Sequence, residues 1–118
     1  MSPGDDRPRA DDQVDEERWL VVDGRRWRRQ DPALPEDVAA RLRSHLGRGR
    51  SGTGAARRRG DDDAVAAARH RTGLAKHGLG ERGTPWWEQD DDERRGRWTT
   101  ALEALDALDA PGDTPDGA

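Results

Sequence analysis

The sequence has no cysteine, phenylalanine, tyrosine or isoleucine, and its large aliphatic residues are nine Leu and five Val among 118 residues. The lack of cysteine excludes disulfides, thiolate metal sites and a cysteine nucleophile, and nothing argues for an oxidising compartment. Five Trp are the only aromatic residues. The free energy gained by burying so few apolar side chains can offset the conformational entropy cost of ordering only part of the chain. We therefore expect one small folded domain.

Long apolar runs are also missing. No uncharged apolar stretch approaches the roughly 20 residues of a transmembrane helix, and the polar N-terminus lacks the apolar core of a signal peptide. We therefore expect a cytoplasmic protein with no membrane association.

Arginine is abundant, whereas Lys76 is the only lysine. A GC-rich coding sequence accounts for part of this bias, since residues with AT-rich codons are scarce. The net charge is −5 over residues 1–17, +8 over 18–60, −1 over 61–89 and −6 over 90–118. The basic middle would attract phosphate. The isoelectric point of about 5.4 lies far below the values above about 9 that are typical of nucleic-acid-binding domains.

A β-hairpin is predicted where WLVV and RRWR flank Asp23-Gly24. Asp-Gly between β-forming residues favours a type I′ turn, whose two central residues have positive φ. This turn pairs Leu20 with Trp27 and places Val22 on the same face. An isolated hairpin is marginally stable, so we expect a helix to cover that face. Trp27 is then buried, and Trp27→Ala should cost about 3 kcal/mol or more.

The covering helix is predicted over LPEDVAARLRSHL. Its apolar residues recur every four positions on one face: Leu34, Val38, Leu42 and Leu46. Gly47 is a suitable C-terminal cap. Residues 47–60, GRGRSGTGAARRRG, hold five Gly, five Arg and no large apolar side chain. They are predicted to form a flexible basic linker.

Two further helices are predicted. The second begins after the carboxylates of residues 61–63 and ends at Gly80. Its seam consists of small residues at helical spacing: Val65, Ala68, Thr72, Ala75 and Leu79. The third helix, from Asp92 to about Leu108, is expected to be peripheral. We thus divide the chain into a disordered acidic arm (1–17), a folded domain (18–88), a peripheral helix (89–109) and a disordered tail (110–118).

Several patterns resemble catalytic or ligand sites without the context that such sites need. GxGxxG at Gly47 follows a predicted helix, whereas the dinucleotide motif follows a strand. His70 and His77 are separated by about 10 Å of helical rise, too far for one metal ion. The acidic runs precede helices, where capping explains them, and no Ser or Thr has a convincing base partner. We expect no catalytic, cofactor or metal site, and no enzymatic activity.

Two candidate surfaces remain. A candidate partner surface is formed by the aromatic loop and the hairpin: Trp86, Trp87, Arg82 and Trp19. Of the two adjacent tryptophans, we expect one in the core and the other open to a partner. Candidate nucleic-acid contacts are the arginines of the hairpin and of the basic linker: Arg25, Arg26, Arg28, Arg29, Arg48, Arg50, Arg57, Arg58 and Arg59.

The stretches VVDGRRWRRQDPALPEDVAARLRSHL and AKHGLGERGTPWW resemble a set of small uncharacterised proteins of high-GC bacteria, especially actinobacteria. The resemblance spans residues 19–87 and rests on a DGRRWR hairpin, an LPE-like helix start and a closing LGERG.PWW. Some of those proteins carry the automatic label "biopolymer transporter Tol". The label would imply a partner in the cell envelope, although the lack of a membrane anchor or signal argues against direct transport. The resemblance implies no activity, cofactor or catalytic residue.

The sequence therefore predicts a small α+β domain, with one N-terminal β-hairpin packed on two or three helices and disordered acidic termini. The expected function is that of a cytoplasmic protein-interaction or accessory module with an unknown protein partner. The alternative is weak, non-sequence-specific nucleic-acid binding through the Arg-rich hairpin and linker.

Overall fold

The structure is a computed structural model that describes residues 17–110. The predicted disordered arm and tail lie outside these residues, apart from Glu17 and Ala110 at their borders. The elements in chain order are β1 (Trp19–Val22), β2 (Arg25–Arg28), α1 (Glu36–Arg59), α2 (Asp62–Leu79), a short 3-10 helix (Trp86–Glu88) and α3 (Asp91–Asp109). The predicted class is confirmed, since one antiparallel hairpin precedes three helices.

The hairpin has the predicted turn and register. Asp23 and Gly24 have φ of 52° and 79°, as a type I′ turn requires. Leu20 lies opposite Trp27 and Val22 opposite Arg25. Leu20, Val22 and Trp27 therefore share a face.

The prediction that a helix buries this face is wrong. Leu20, Val22 and Trp27 are each 43 to 45% exposed. The reason is that α2 and α3 already cover the apolar face of α1. Gly78 of α2, for example, packs so closely on Leu42 of α1 that a Cβ built on Gly78 would lie 2.8 Å from Leu42 Cδ2. The hairpin is instead held through its opposite face, where the rings of Trp19 and Trp87 meet edge to face at 5.8 Å.

The hydrophobic core lies among the three helices. Its buried residues come from α1, α2 and α3: Leu42, Leu46, Ala75, Leu79, Trp98, Ala101, Leu102 and Leu105. The third helix was expected to be peripheral, and this is wrong because four of these core residues belong to it. Its start is fixed by a capping box between Asp90 and Glu93, which satisfies backbone N–H groups that the first turn leaves unpaired.

Residues 47–59, predicted as linker, continue α1. Glycine disfavours a helix by about 1 kcal/mol per residue relative to alanine, but here two glycines face α2. A Cβ on Gly49 would lie 2.3 Å from Thr72 Oγ1, and one on Gly52 would lie 3.3 Å from Ala68 Cβ. The glycines thus let the two helices approach closely, and this packing stabilises a segment whose local composition favours a loop.

The second helix agrees with its prediction. Asp61 caps it by accepting a hydrogen bond from the Ala64 N–H at 3.0 Å. Gly80 ends it with φ of 90°, a left-handed conformation that favours glycine. The predicted small-residue seam is at least half-buried throughout, so the seam is the face that packs against α1 and α3.

Asp31 and Trp86 join the hairpin to the helices. The Asp31 N–H donates to the carbonyl of Leu79 at 2.8 Å. Trp86, which is 6% exposed, donates its Nε1–H to the carbonyl of Arg29 at 2.9 Å. These bonds fix the segment that leaves β2 against the end of α2. Within residues 17–110, no helix is long and apolar enough to cross a membrane.

Candidate binding groove

An open groove of about 690 Å³ lies between the exposed hairpin face and the helices α1 and α2. One wall is the apolar hairpin face of Leu20, Val22 and Trp27, and Arg50 of α1 and Lys76 of α2 lie across from it. We call this space the hairpin groove. It exists because Trp19 and Trp87 hold the hairpin by its other face, which leaves the apolar face without a cover.

The hairpin groove has more positive than negative side chains on its walls. Its charged lining residues are four cations and two carboxylates: Arg28, Arg29, Arg50, Lys76, Glu17 and Glu81. Two cations lie near the ring of Trp27: the Arg25 guanidinium is 5.5 Å and the Lys76 ammonium 5.7 Å from the ring centroid. Aromatic residues and arginine are enriched at protein interfaces.

A second cavity of about 420 Å³ adjoins the first along α1 and α2. Four cations line it without any carboxylate: Arg50, Arg69, Lys76 and Arg82, with the hydroxyls of Thr53 and Thr72 between them. We call it the cationic trough. Arg82 reaches it by folding back over α2, where its Nη1 lies 3.7 Å from the position that a Cβ on Gly73 would take.

Lys76 belongs to both cavities. Partial burial lowers the pKa of its ammonium, the guanidinium groups of Arg82 and Arg50 lower that pKa further, and Glu81 opposes the shift. Burial is thus the main cause of the lowered pKa, and the two neighbouring guanidinium groups add to it.

The residues of the predicted partner surface occupy different environments. Trp86 is buried, so its inclusion in that surface is wrong. Trp87 is half-buried between the rings of Trp19 and Trp86. Trp19 is likewise half-buried and has the Arg26 guanidinium 4.5 Å above its ring. Arg82 is exposed and lines the cationic trough.

The nine arginines predicted to contact nucleic acid do not form one surface. Arg28 donates to the carbonyl of Gly83 at 2.8 Å. Arg48 pairs with Asp109 of α3 at 2.9 Å, and residues 57–59 form the last turn of α1. Of the arginines predicted in the linker, Arg50 lies beside the hairpin, across the groove from Trp27. The helical conformation of the predicted linker separates the others.

Sequence reasoning missed Arg69 and Lys76 as site residues. Arg69, Thr72 and Lys76 are spaced three and four apart, which places them along one side of a helix. Arg50 and Thr53 have the same spacing on α1. The spacing on each helix was the signal in the sequence that could have indicated this site. The spacing of Arg50 and Thr53 has this meaning only if residues 47–59 are helical, and they were predicted to be a linker.

Within the described part of the chain, no group of three or more His, Asp or Glu side chains is placed to hold a metal ion. His45 is buried, and its Nδ1 lies 2.7 Å from Arg71 Nη1 and its Nε2 3.6 Å from Asp106 Oδ1. A guanidinium can only donate, so Nδ1 is the acceptor and Nε2 carries the proton. His45 thereby links α1 to α2 and α3.

No protein-family model matches the chain, and no significant match was found among curated proteins or among solved structures. The resemblance to the actinobacterial set therefore stays a prediction.

Proposed function

We propose that this protein is a small protein-interaction module without catalytic activity, and that it binds a partner segment in the hairpin groove. The observation that carries the proposal is the uncovered apolar face of the hairpin, where Leu20, Val22 and Trp27 are more than 40% exposed. Contiguous apolar surface with a polar rim commonly marks an interaction site.

The shape of the hairpin supports an extended partner segment. The sheet has only two strands among the described residues, so each strand has one edge that no other described strand covers. An extended segment can pair with such an edge while alternate side chains point into the groove.

The charge of the groove supports a partner of opposite sign. Its lining has an excess of cations over carboxylates, so a segment that alternates apolar and acidic side chains would complement both the wall and the rim. A cytoplasmic location is part of the proposal, and the lack of cysteine fits a reducing compartment.

The test uses the full chain and two synthetic decapeptides, one alternating Leu and Glu and the other alternating Leu and Lys. In NMR titrations we expect the acidic peptide to shift the amide signals of β1 and β2, and the basic peptide to leave them unchanged. Equal binding of both peptides, or binding of neither, would overturn the proposal.

Adjacent valines provide a matched pair of variants. Val22 lines the groove, whereas Val21 pairs with Arg26 on the opposite face. Both substitutions to Ser lower β propensity in the same strand. We expect Val22→Ser to weaken binding of the acidic peptide at least about fivefold and Val21→Ser less than about twofold, the first being about 1 kcal/mol. Equal losses would show that the groove is not the contact surface.

A further inference from the structure

We propose that the cationic trough between α1 and α2 is a binding site for a phosphate-bearing anion with two or more negative charges. The proposal does not depend on the hairpin groove. It rests on the convergence of four cations around one concavity that no carboxylate lines: Arg50, Arg69, Lys76 and Arg82.

Within residues 17–110, the three arginines of the trough are not paired with carboxylates, whereas the charge of Glu81 acts on Lys76. Among the residues that the structure describes, none of Arg50, Arg69 and Arg82 forms an ion pair, whereas Arg41, Arg48, Arg71 and Arg97 all do. The Lys76 ammonium lies 5.7 Å from the centroid of the Trp27 ring, and the charge of Glu81 opposes the lowering of its pKa. The arginines that line the trough therefore differ from Arg41, Arg48, Arg71 and Arg97, each of which pairs with an Asp residue.

The position of the trough follows from the close approach of the helices. Gly49 and Gly52 bring α1 against Thr72 and Ala68, so cations on the two helices lie on either side of a narrow floor. Arg82 extends the positive wall from the loop after α2. One ligand can thus contact side chains from three segments of the chain.

The floor carries hydroxyl groups that suit an oxyanion. Thr53 Oγ1 now donates to the carbonyl of Gly49 at 2.9 Å, and Thr72 Oγ1 to that of Ala68 at 3.1 Å. A hydroxyl hydrogen can rotate toward a bound oxygen atom. Three guanidinium groups supply planar pairs of N–H donors, which match phosphate oxygens in a bidentate manner.

A multivalent phosphate neutralises this site better than a single carboxylate. Four positively charged side chains line a cavity of about 420 Å³. A ligand with more negative charges offsets more of the repulsion between them. Partial burial, and then the guanidinium groups of Arg82 and Arg50, lower the pKa of Lys76, and a bound phosphate should raise that pKa.

The experiment measures binding of inorganic pyrophosphate to the full chain by calorimetry and by NMR at low salt. We expect saturable binding, with shifts of the Arg69, Thr72 and Arg82 amides and an upward shift of the Lys76 ammonium titration. A twelve-residue oligothymidylate forms a second arm. Binding at least about tenfold tighter than pyrophosphate would identify the source of the phosphate as a nucleic-acid backbone, and weaker or equal binding would identify a small phosphate compound.

The variant Arg69→Gln/Arg82→Gln removes two trough cations that do not line the hairpin groove. The control Arg57→Gln/Arg58→Gln removes the same charge from the last turn of α1. We expect the first pair to weaken pyrophosphate at least about tenfold, and the control less than about twofold. Circular dichroism confirms that both variants fold.

Two results would overturn the site: no saturable binding of pyrophosphate, or equal losses of pyrophosphate affinity in the two double variants. Failure here leaves the hairpin groove unaffected, because its test uses the Val22→Ser variant and an acidic peptide.

Discussion

Asp31 and Arg97 form a salt bridge that is almost wholly withdrawn from water. Asp31 Oδ2 accepts from Arg97 Nη2 at 2.7 Å, and the two side chains are 0% and 2% exposed. The same guanidinium donates through Nε to the carbonyl of Gly78 at 3.2 Å. The pair therefore joins the segment after the hairpin to the end of α2 and to α3.

Removal of Arg97 from this pair should be costly, because the buried Asp31 then loses its closest cation. Arg97→Ala leaves Asp31 with Arg94 at 3.4 Å as its remaining cation, and we expect a loss of about 3–5 kcal/mol in the free energy of unfolding. The control is Arg95→Ala, two residues away on α3, whose side chain is 68% exposed. It should change stability by at most about 1 kcal/mol in urea unfolding. Comparable losses would contradict the buried pair.

The contact of Gly78 with the core predicts opposite effects of two glycine substitutions. A Cβ on Gly78 would lie 2.7 Å from Ala101 Cβ, whereas one on Gly96 would meet nothing within 4 Å. Gly78→Ala should destabilise the domain by about 1–3 kcal/mol through overpacking. Gly96→Ala in α3 should stabilise it by about 0.5–1 kcal/mol, because alanine favours the helix. Thermal melts of both variants test the sign of each change.

Two tryptophan deletions distinguish the core from the hairpin surface. Trp98 is 9% exposed and Trp27 is 44% exposed. Trp98→Ala should cost about 3–5 kcal/mol. Trp27→Ala should cost less than about 1 kcal/mol, far below the sequence-based expectation, since the residue is largely exposed and lies outside the core. A loss of about 3 kcal/mol or more in the free energy of unfolding of Trp27→Ala would show that the hairpin face is part of the core.

Asp109 should make the stability of the fold depend on pH in the acidic range. Hydrogen bonds from Arg48 and then from Arg71 hold the pKa of this carboxyl well below its usual range. A carboxyl with a lowered folded-state pKa contributes stability that is present above about pH 4, the unfolded value, and is lost as the pH falls toward the folded-state pKa. Asp109→Asn should lower the melting temperature at pH 6, and this difference from the unmodified protein should shrink steadily as the pH falls below about 4.

The control for acid dependence is Glu103→Gln. Glu103 is an exposed residue of α3 without an ion pair in the described part of the chain. The melting temperature of the Glu103→Gln variant should equal that of the unmodified protein across the same pH range. If the melting temperature of Asp109→Asn also equals it at every pH, the ion pairs of Asp109 with Arg48 and Arg71 contribute nothing to stability.

Local patterns in the sequence were sufficient for the turns and for most helix ends. Asp23-Gly24 specifies its turn through positive φ, Asp61 and Asp90 cap helices through their own side chains, and Gly80 ends α2. Each of these features depends on residues a few positions apart. The sequence therefore predicted the hairpin, its register and three helical segments.

Features that depend on distant contacts could not be predicted in the same way. Gly49 is helical because Thr72 lies against it, and the hairpin face is open because α2 and α3 occupy the apolar face of α1. The hairpin groove exists because the hairpin face is open. The cationic trough was missed because Arg50 and Arg69 line the same cavity only when the Gly-rich segment is a helix.

The adjacent residues Trp86 and Trp87 face in different directions, Trp86 into the helical body and Trp87 toward Trp19 of the hairpin. The core that stabilises the helices contains no hairpin residue. Substitutions at Leu20 or Val22 therefore remove little of the contact area on which folding depends. Mutation can vary the preference for a partner at these positions while the helical scaffold keeps its stability, which makes the hairpin the natural place for partner specificity to diverge among descendants of this sequence.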